Sequence, residues 1–446
     1  MAGLAPLLLA FTFGLHIVMV NLGIGLAWLV PYFKRRADQG EREFEDVART
    51  LMRFYAATYG VAGVFGTAFT VFLLSYYPRF LGVAGNITLI PFGLSILSIA
   101  LHFFAITAYW YGWDRWSRPV HNMIGLLLGV SALLIPLGFR AVFAFLNIPA
   151  GLGFDPAEGK LYLDVGAALT KNPTFLPLYL KSIAAAFTAT FMAVAGAYAY
   201  KAFFRAKSEE EKRTALRVAS MLAKPALVLL LVTTTLGFWY ALSLQNVPYK
   251  FNNVFAGLGW SVGSGKAYYS VSWLFLLKML LLAVQFAALA YALPALIRGG
   301  LDAGKAKLLL YGGVAALAAV ALGEYVNAFS QYPFFIAVWP DVLAGNVPVD
   351  ALPKFGISIP AEALPAVISA VNSVVLLEGS DRVAAILSEM GIAKYFNLNE
   401  VVNRIAIESG VVAITLVFVT ALMMGVVYLL YILLFPPRKQ VATARR

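Results

Sequence analysis

The chain has 446 residues, of which 61% are hydrophobic and only 13% are charged. Soluble domains carry about 25% charged residues, so this composition excludes a soluble globular protein and indicates a chain that spans a lipid bilayer. The formal net charge of +12 does not indicate nucleic-acid binding here, because the basic residues concentrate in alternate connectors between apolar runs. The lack of cysteine excludes disulfides, iron–sulfur clusters and covalently attached c-type heme.

Nine apolar runs predict an all-α, polytopic membrane protein with about nine transmembrane helices. A hydrocarbon core about 30 Å thick requires about 20 apolar residues at helical rise, and each run is long enough. The first run has no basic residue before it and is too long for the apolar region of a signal peptide, so we interpret it as a retained span. The predicted spans cover residues 4–31, 52–77, 87–112, 121–147, 174–203, 218–243, 270–297, 307–330 and 406–435.

The connectors predict the orientation and the domain organisation. Most Lys and Arg residues outside the spans follow odd-numbered spans, so the positive-inside bias places the N-terminus outside and the C-terminus in the cytoplasm. Residues 1–330 then form transmembrane helices 1–8. Residues 331–405 form an extracytoplasmic cap, in which apolar residues at helical spacing over 363–377 and 382–395 predict two surface helices. Residues 406–446 form transmembrane helix 9 and a basic cytoplasmic tail.

Glycines and histidines inside the spans are the next informative residues. Glycines at positions 60, 63 and 66 of the second span predict close helix packing, or else dimerisation. His16 and His102 lie inside the first and third spans, about 18 Å and about 22 Å from their outer ends by helical rise. Facing helices would bring both imidazoles to one heme iron. The alternative is that each histidine hydrogen-bonds to a backbone carbonyl or to a Ser or Thr of a neighbouring helix. His121 opens the fourth span and is interpreted as a solvated residue.

Four further polar or sulfur-containing side chains lie within the spans. Glu324 in the eighth span is either the partner of a basic side chain such as Arg140, or a weak heme ligand or proton-carrying carboxylate. Lys181 and Lys278 lie near the outer ends of the fifth and seventh spans, where they either extend to water or neutralise the propionates of a cofactor. Met279 either packs in the apolar core or ligates iron.

These residues resemble subunit I of the cytochrome bd-type oxygen reductases, which are quinol oxidases. The segment L-A-F-T-F-G-L-H, which ends at His16, is similar to the first-span segment that carries the proximal heme histidine of that family. The segment G-W-D-R at 112–115 and its spacing to His121 are also similar, and so are Asn172-Pro173 and Glu324-Tyr325. The resemblance covers most of the membrane part and is strongest over residues 8–147.

The chain also departs from that family. Where the family has the histidine of its low-potential heme b, counting from Asn172-Pro173 gives Lys181, whereas Met279 resembles the other axial ligand of that heme. This heme is therefore expected to be missing or differently held. Two glutamates of the family's third span correspond here to Leu94 and His102. Residues 244–269 are too short for a full version of the family's quinol-binding loop.

The resemblance therefore implies a divergent subunit I, similar to the paralogous second copy of some complexes, in the cytoplasmic membrane. It implies a subunit of a terminal oxidase that carries electrons from quinol to oxygen in the respiratory chain. Residues 1–330 would hold at least one heme of b or d type, with His16 as the principal ligand and His102 or Glu324 as the second candidate. The expected partner is a complete subunit I or a subunit II-like protein, through which quinol acts. The alternatives are a heme-free structural or assembly subunit and a secondary transporter.

Overall fold

The structure is a computed structural model that describes residues 4–76, 82, 85–371, 374, 380–396 and 409–434. Almost all regular elements in these residues are helices, which confirms the all-α prediction. Short 3₁₀ turns cover Leu244–Asn246, Ala256–Leu258, Val349–Phe355 and Ala393–Tyr395. The other elements are α1 (Leu4–Asp38), α2 (Glu43–Tyr76), α3 (Leu89–Tyr111), α4 (Arg118–Asn147), β1 (Leu152–Asp155), β2 (Lys160–Leu163), α5 (Val165–Thr170), α6 (Phe175–Phe204), α7 (Glu209–Ser243), α8 (Pro248–Phe255), α9 (Ser272–Ile297), α10 (Ala303–Phe329), α11 (Trp339–Leu343), α12 (Leu364–Val371), α13 (Ser380–Glu389) and α14 (Ser409–Leu434).

Eight helices of the described residues are long and apolar enough to cross a bilayer: α1, α2, α3, α4, α6, α7, α9 and α10. This finding confirms a multi-pass membrane protein. The ninth span and the orientation stay predictions, since α14 contributes only a shorter apolar stretch over Ala413–Gly425 and the basic tail lies outside the described residues.

Several helices extend beyond the apolar runs that predicted them. Helix α2 begins at Glu43 and has acidic residues in its first turn, where they interact favourably with the positive end of the helix dipole. Helix α7 begins after Ser208, whose hydroxyl accepts a hydrogen bond from the Glu211 amide. Capping and charge therefore add polar turns that hydropathy does not detect.

Helices α1 and α6 occupy the centre of the bundle. Helix α1 contacts α2, α4, α6, α10 and α14, and α6 contacts α1, α4, α7 and α10. Helices α6 and α10 approach closely, since a Cβ atom on Gly313 would lie 2.8 Å from the Ala193 Cα atom. Gly196 has the same role on α6, because its Cβ atom would lie 2.7 Å from the Leu309 carbonyl oxygen. Small residues thus let these two helices pack backbone to backbone.

The glycines of α2 do not behave as predicted. A Cβ atom on Gly60 or Gly63 would meet no atom within 4 Å among the described residues, so neither glycine packs against another helix there. Gly66 does make a close contact, because its Cβ atom would lie 2.7 Å from the His16 ring. The packing prediction is therefore wrong for two of the three positions, since regular glycine spacing does not indicate which helix face has a neighbour.

The long segment after α10 packs onto the connector between α4 and α6. Strands β1 and β2 pair antiparallel in that connector, and Ser358 donates its amide to the Leu152 carbonyl at 2.9 Å. Trp339 and Ile336 are buried in the same apolar cluster. The helix predicted over 363–377 is observed as α12, and part of its C-terminal remainder lies outside the described residues. The helix predicted over 382–395 is observed as α13, which ends at Glu389.

Candidate functional site

The imidazole of His16 is positioned by α2. Its Nδ1 atom lies 2.8 Å from the Ala62 carbonyl oxygen, and the ring lies against Gly66. Because a carbonyl oxygen only accepts, Nδ1 carries the hydrogen and Nε2 keeps its lone pair. No hydrogen bond to Nε2 is found within the described ranges. His16 therefore presents the tautomer and the atom that a metal-ligating histidine needs.

The imidazole of His102 has a different environment. It is 2% exposed, and its Nδ1 atom lies 2.8 Å from the Ser131 hydroxyl on α4. Its Nε2 atom is hydrogen-bonded to the Tyr55 hydroxyl on α2, and the Tyr59 ring lies 5.2 Å away, centre to centre. Both ring nitrogens are thus hydrogen-bonded to side chains of neighbouring helices, which corresponds to the second of the two alternatives for this residue. His16 and His102 have separate partners, so the structure does not present both imidazoles as free ligands.

His121 is buried, and its interpretation as a solvated residue is wrong. Only 3% of the residue is exposed, its Nε2 atom lies 3.0 Å from the Tyr109 carbonyl oxygen, and its ring stacks on the Tyr109 ring. The Trp113 ring packs against it at an angle. The turn between α3 and α4 folds these aromatic rings over the histidine, which hydropathy does not reveal.

The other candidate residues line one cavity of about 210 Å³ between α6, α7, α9 and α10. Arg140 and Glu324 are both buried there and form a bidentate ion pair, with nitrogen–oxygen distances of 2.9 Å and 2.7 Å. This is the pairing that was one of the two alternatives for Glu324. Because both carboxylate oxygens accept from the guanidinium, neither oxygen is free to ligate iron or to carry a proton in this arrangement.

Lys181, Lys278 and Met279 line the same cavity. The Lys181 ammonium lies 4.7 Å from the centre of the Tyr240 ring, and Lys278 lies beside Gly323 of α10. Within the described residues, no carboxylate oxygen lies within 4 Å of either ammonium. Met279 is 37% exposed at the cavity rim. The described residues that line the cavity therefore include a thioether and amines but no imidazole.

A buried polar network that sequence reasoning missed lies next to this cavity. Lys250 of α8 is 1% exposed, and its ammonium donates to the Asn147 side chain at 2.6 Å and to the Gln331 side chain at 3.0 Å. The Tyr240 hydroxyl donates to Asn327 at 2.6 Å and accepts from Asn147 at 3.2 Å. Burial lowers the pKa of Lys250 to about 7. A lysine in a connector looks solvated in sequence, so no local signal marked it.

Comparisons with known proteins place the chain among oxidase subunits. The family model for cytochrome bd terminal oxidase subunit I matches residues 4–254. The putative cytochrome bd menaquinol oxidase subunit I of Bacillus subtilis (strain 168) is 28% identical over 216 residues, which are 47% of each chain, so the match spans about half the length of that curated relative. The bd oxidase structure from Geobacillus thermodenitrificans matches with a TM-score of 0.63 at 16% identity, over 88% of this chain and 97% of that chain. The structural match shows a shared fold.

Proposed function

Because the chain belongs to the cytochrome bd terminal oxidase subunit I family, we propose that it is a heme-carrying subunit of a respiratory terminal oxidase, with His16 as its iron ligand. The complex would pass electrons from a quinol to oxygen in the cytoplasmic membrane. The part of the chain that the family model matches contains His16 and His102. It ends before Lys278, Met279 and Glu324. The proposal therefore rests on the N-terminal half of the bundle.

The geometry of His16 is the observation that carries this proposal. The Ala62 carbonyl fixes the imidazole through Nδ1, so that Nε2 retains the lone pair that coordinates iron. Gly66 supports the ring from the α2 side, and any larger residue there would displace it. The residues present thus fit a heme with one histidine ligand from this chain. A heme bound at this position would supply reversible one-electron transfer.

The other residues have distinct proposed roles. His102, held by Tyr55 and Ser131, fixes α3 between α2 and α4 and is a second-choice iron ligand, because coordination would require it to give up a hydrogen bond. Glu324 likewise would have to leave Arg140 before it could ligate iron. The electron donor would be a quinol bound through a partner subunit, since residues 244–269, the connector that contains α8, are too short for a full version of the family's quinol-binding loop. The partner would be a complete subunit I or a subunit II-like protein.

Two measurements test the heme proposal. A reduced-minus-oxidised absorption spectrum of the purified protein should show heme bands. His16→Ala should lower the heme content per chain by tenfold or more, because the axial ligand is lost, while size-exclusion chromatography still shows a folded, monodisperse protein.

His102→Ala is the matched control, since it removes another buried imidazole of the membrane helices. It should leave the heme content within twofold of wild type, although it should lower thermal stability. Unchanged heme in His16→Ala, or loss of heme only in His102→Ala, would show that His16 is not the ligand.

A second candidate function is a heme-free structural or assembly subunit of such a complex. The observation that favours it is the engagement of His102 and Glu324 by protein partners, so that of the three proposed iron ligands only His16 keeps a nitrogen without a hydrogen bond in the described structure. A purified complex in which this chain assembles with a catalytic partner but contributes no heme band would support this function and refute the heme proposal.

A further inference from the structure

The cavity between α6, α7, α9 and α10 has an excess of basic groups. Arg140, Lys181 and Lys278 line it, whereas Glu324 contributes the single carboxylate among the described lining residues. That carboxylate is already paired with Arg140 in a bidentate ion pair. Two amines thus remain without an anionic contact partner in the described structure. Basic groups inside a membrane are costly unless an anion pairs with them, so the cavity is complementary to a ligand with negative charge.

The depth of these groups indicates where such a ligand would lie. Lys181 and Lys278 lie within two turns of the N-terminal ends of α6 and α9, and Arg140 within two turns of the C-terminal end of α4. By helical rise this is about 10 Å from one end of the bundle. Helices α6 and α9 have 30 and 26 residues, so by helical rise they are about 45 Å and about 39 Å long and extend several ångströms beyond a hydrocarbon core of about 30 Å at each end. The basic groups therefore lie a few ångströms inside the boundary between lipid headgroups and hydrocarbon.

The rim of the cavity faces outward between α7 and α9. Phe238, Trp260 and Met279 line the cavity and are 53%, 59% and 37% exposed, and the wall between them is apolar. Aromatic residues with one exposed face are typical of the membrane interface. A ligand could therefore place a charged head on the lysines while its apolar tails extend past these side chains into the bilayer.

We propose that this cavity binds the headgroup of an anionic phospholipid, with its phosphate between Lys181 and Lys278. The lipid serves as the counter-ion that the protein itself lacks at this place, and its tails cover the gap between α7 and α9. A heme fits the cavity poorly, because Met279 is the only good iron ligand among the described residues that line it. A neutral quinone would leave both ammonium groups unpaired. The inference does not depend on heme at His16.

Native mass spectrometry of the detergent-purified full chain tests the proposal. The protein is titrated with phosphatidylglycerol and with phosphatidylcholine that carry the same acyl chains. Phosphatidylglycerol should bind at least tenfold more tightly, because only its headgroup has a net negative charge. This comparison uses the wild-type protein, so it does not depend on whether a variant folds.

Lys181→Gln combined with Lys278→Gln should weaken phosphatidylglycerol binding at least tenfold and leave the heme content unchanged. Lys224→Gln, which removes an exposed lysine of α7 outside the cavity, is the matched control and should bind phosphatidylglycerol like wild type.

Four results would overturn the proposal. The first is equal binding of the two lipids, and the second is unchanged binding of phosphatidylglycerol in the double lysine variant. The third is binding of inorganic phosphate as tight as that of the lipid, and the fourth is loss of heme in the double lysine variant. The third result would assign the site to a soluble anion, and the fourth to heme propionates. Loss of heme in His16→Ala alone bears on the proposed function and not on this site.

Discussion

Asp341 and Lys250 are buried ionisable residues of the segments between membrane helices, and each lacks an oppositely charged partner within salt-bridge distance in the described structure. The Asp341 carboxylate accepts the Tyr249 amide at 2.8 Å, so it caps the N-terminus of α8 from a segment about 90 residues later in the chain. Burial raises the pKa of Asp341 to about 7 and lowers the pKa of Lys250 to about 7. Burial therefore makes the ionised form of each residue less stable in the folded protein than it is in water.

We expect opposite pH dependences from these two residues. The folded state holds the Asp341 proton that the unfolded state releases between about pH 4 and pH 7, so stability falls as pH rises through that window, by up to about 1.4 kcal/mol per pH unit. Lys250 is protonated in the unfolded state but not in the folded state between about pH 7 and pH 10.5, so its contribution rises with pH there. Their combined contribution is smallest near pH 7.

Asp341→Asn should remove the acidic half of this dependence. The amide oxygen can still accept the Tyr249 amide but carries no charge, so the variant should be more stable than wild type at both pH values, and by a larger margin at pH 8 than at pH 5. Thermal unfolding of the purified protein in detergent at both pH values measures this difference. Asp350→Asn, which changes an exposed aspartate of the same segment, is the control. Its stability should change between pH 5 and pH 8 by the same amount as that of wild type. A stabilisation by Asp341→Asn that is the same at both pH values would contradict the assignment.

At the scale of elements, the contact between α6 and α10 is set by the absence of side-chain atoms. Gly313→Ala adds a Cβ atom 2.8 Å from both the Ala193 Cα atom and the Met192 carbonyl oxygen, and this backbone cannot rotate away as a side chain could. Overpacking of this kind typically costs 1–3 kcal/mol, so we expect the free energy of unfolding to fall by about that amount. Thermal unfolding in detergent should show a lower midpoint.

Gly60→Ala is the control for the loss of a glycine itself. Gly60 lies inside α2 with open space around it in the described structure, and alanine is a better helix former by about 1 kcal/mol. This variant should therefore be as stable as wild type or more stable. If Gly313→Ala and Gly60→Ala unfolded at the same temperature, the close packing of α6 and α10 would not be a stabilising feature.

The sequence predicted the elements better than it predicted their contacts. Apolar runs identify eight helices of the bundle because the bilayer imposes a minimum length, independent of tertiary structure. Depth along a helix also follows from sequence, which placed Lys181 and Lys278 near the same end of their spans, and both line one cavity. Which residue faces which is decided by helix rotation. Hydropathy does not encode the rotation of a helix that is apolar all round. The partners of His102 and the burial of His121 depend on that rotation, so the sequence did not predict them.

At the scale of the whole molecule, the two ends of the bundle differ in chemistry. One end carries ion pairs that join helix ends to each other and to the turns beside them, such as Arg217 with Glu41 and Glu43, and Arg49 with Asp114 at 2.6 Å. The other end carries the β1–β2 hairpin, the segment after α10 and a network of neutral amides around Lys250. An end rich in basic residues is typical of the cytoplasmic side, and this bias is the basis of the predicted orientation, which stays a prediction.

The lack of cysteine makes this orientation directly testable, since any introduced cysteine is the only thiol. Glu158→Cys places a thiol on the exposed β1–β2 hairpin, and Gln39→Cys places one in the exposed turn between α1 and α2. With the N-terminus outside, a membrane-impermeant maleimide added to intact cells should label Glu158→Cys at once and label Gln39→Cys only after permeabilisation. Wild type should stay unlabelled throughout. The reverse order would place the basic end outside. The lysine-lined cavity, which lies near the opposite end, would then be in the cytoplasmic leaflet, and the proposed anionic lipid would bind from that leaflet.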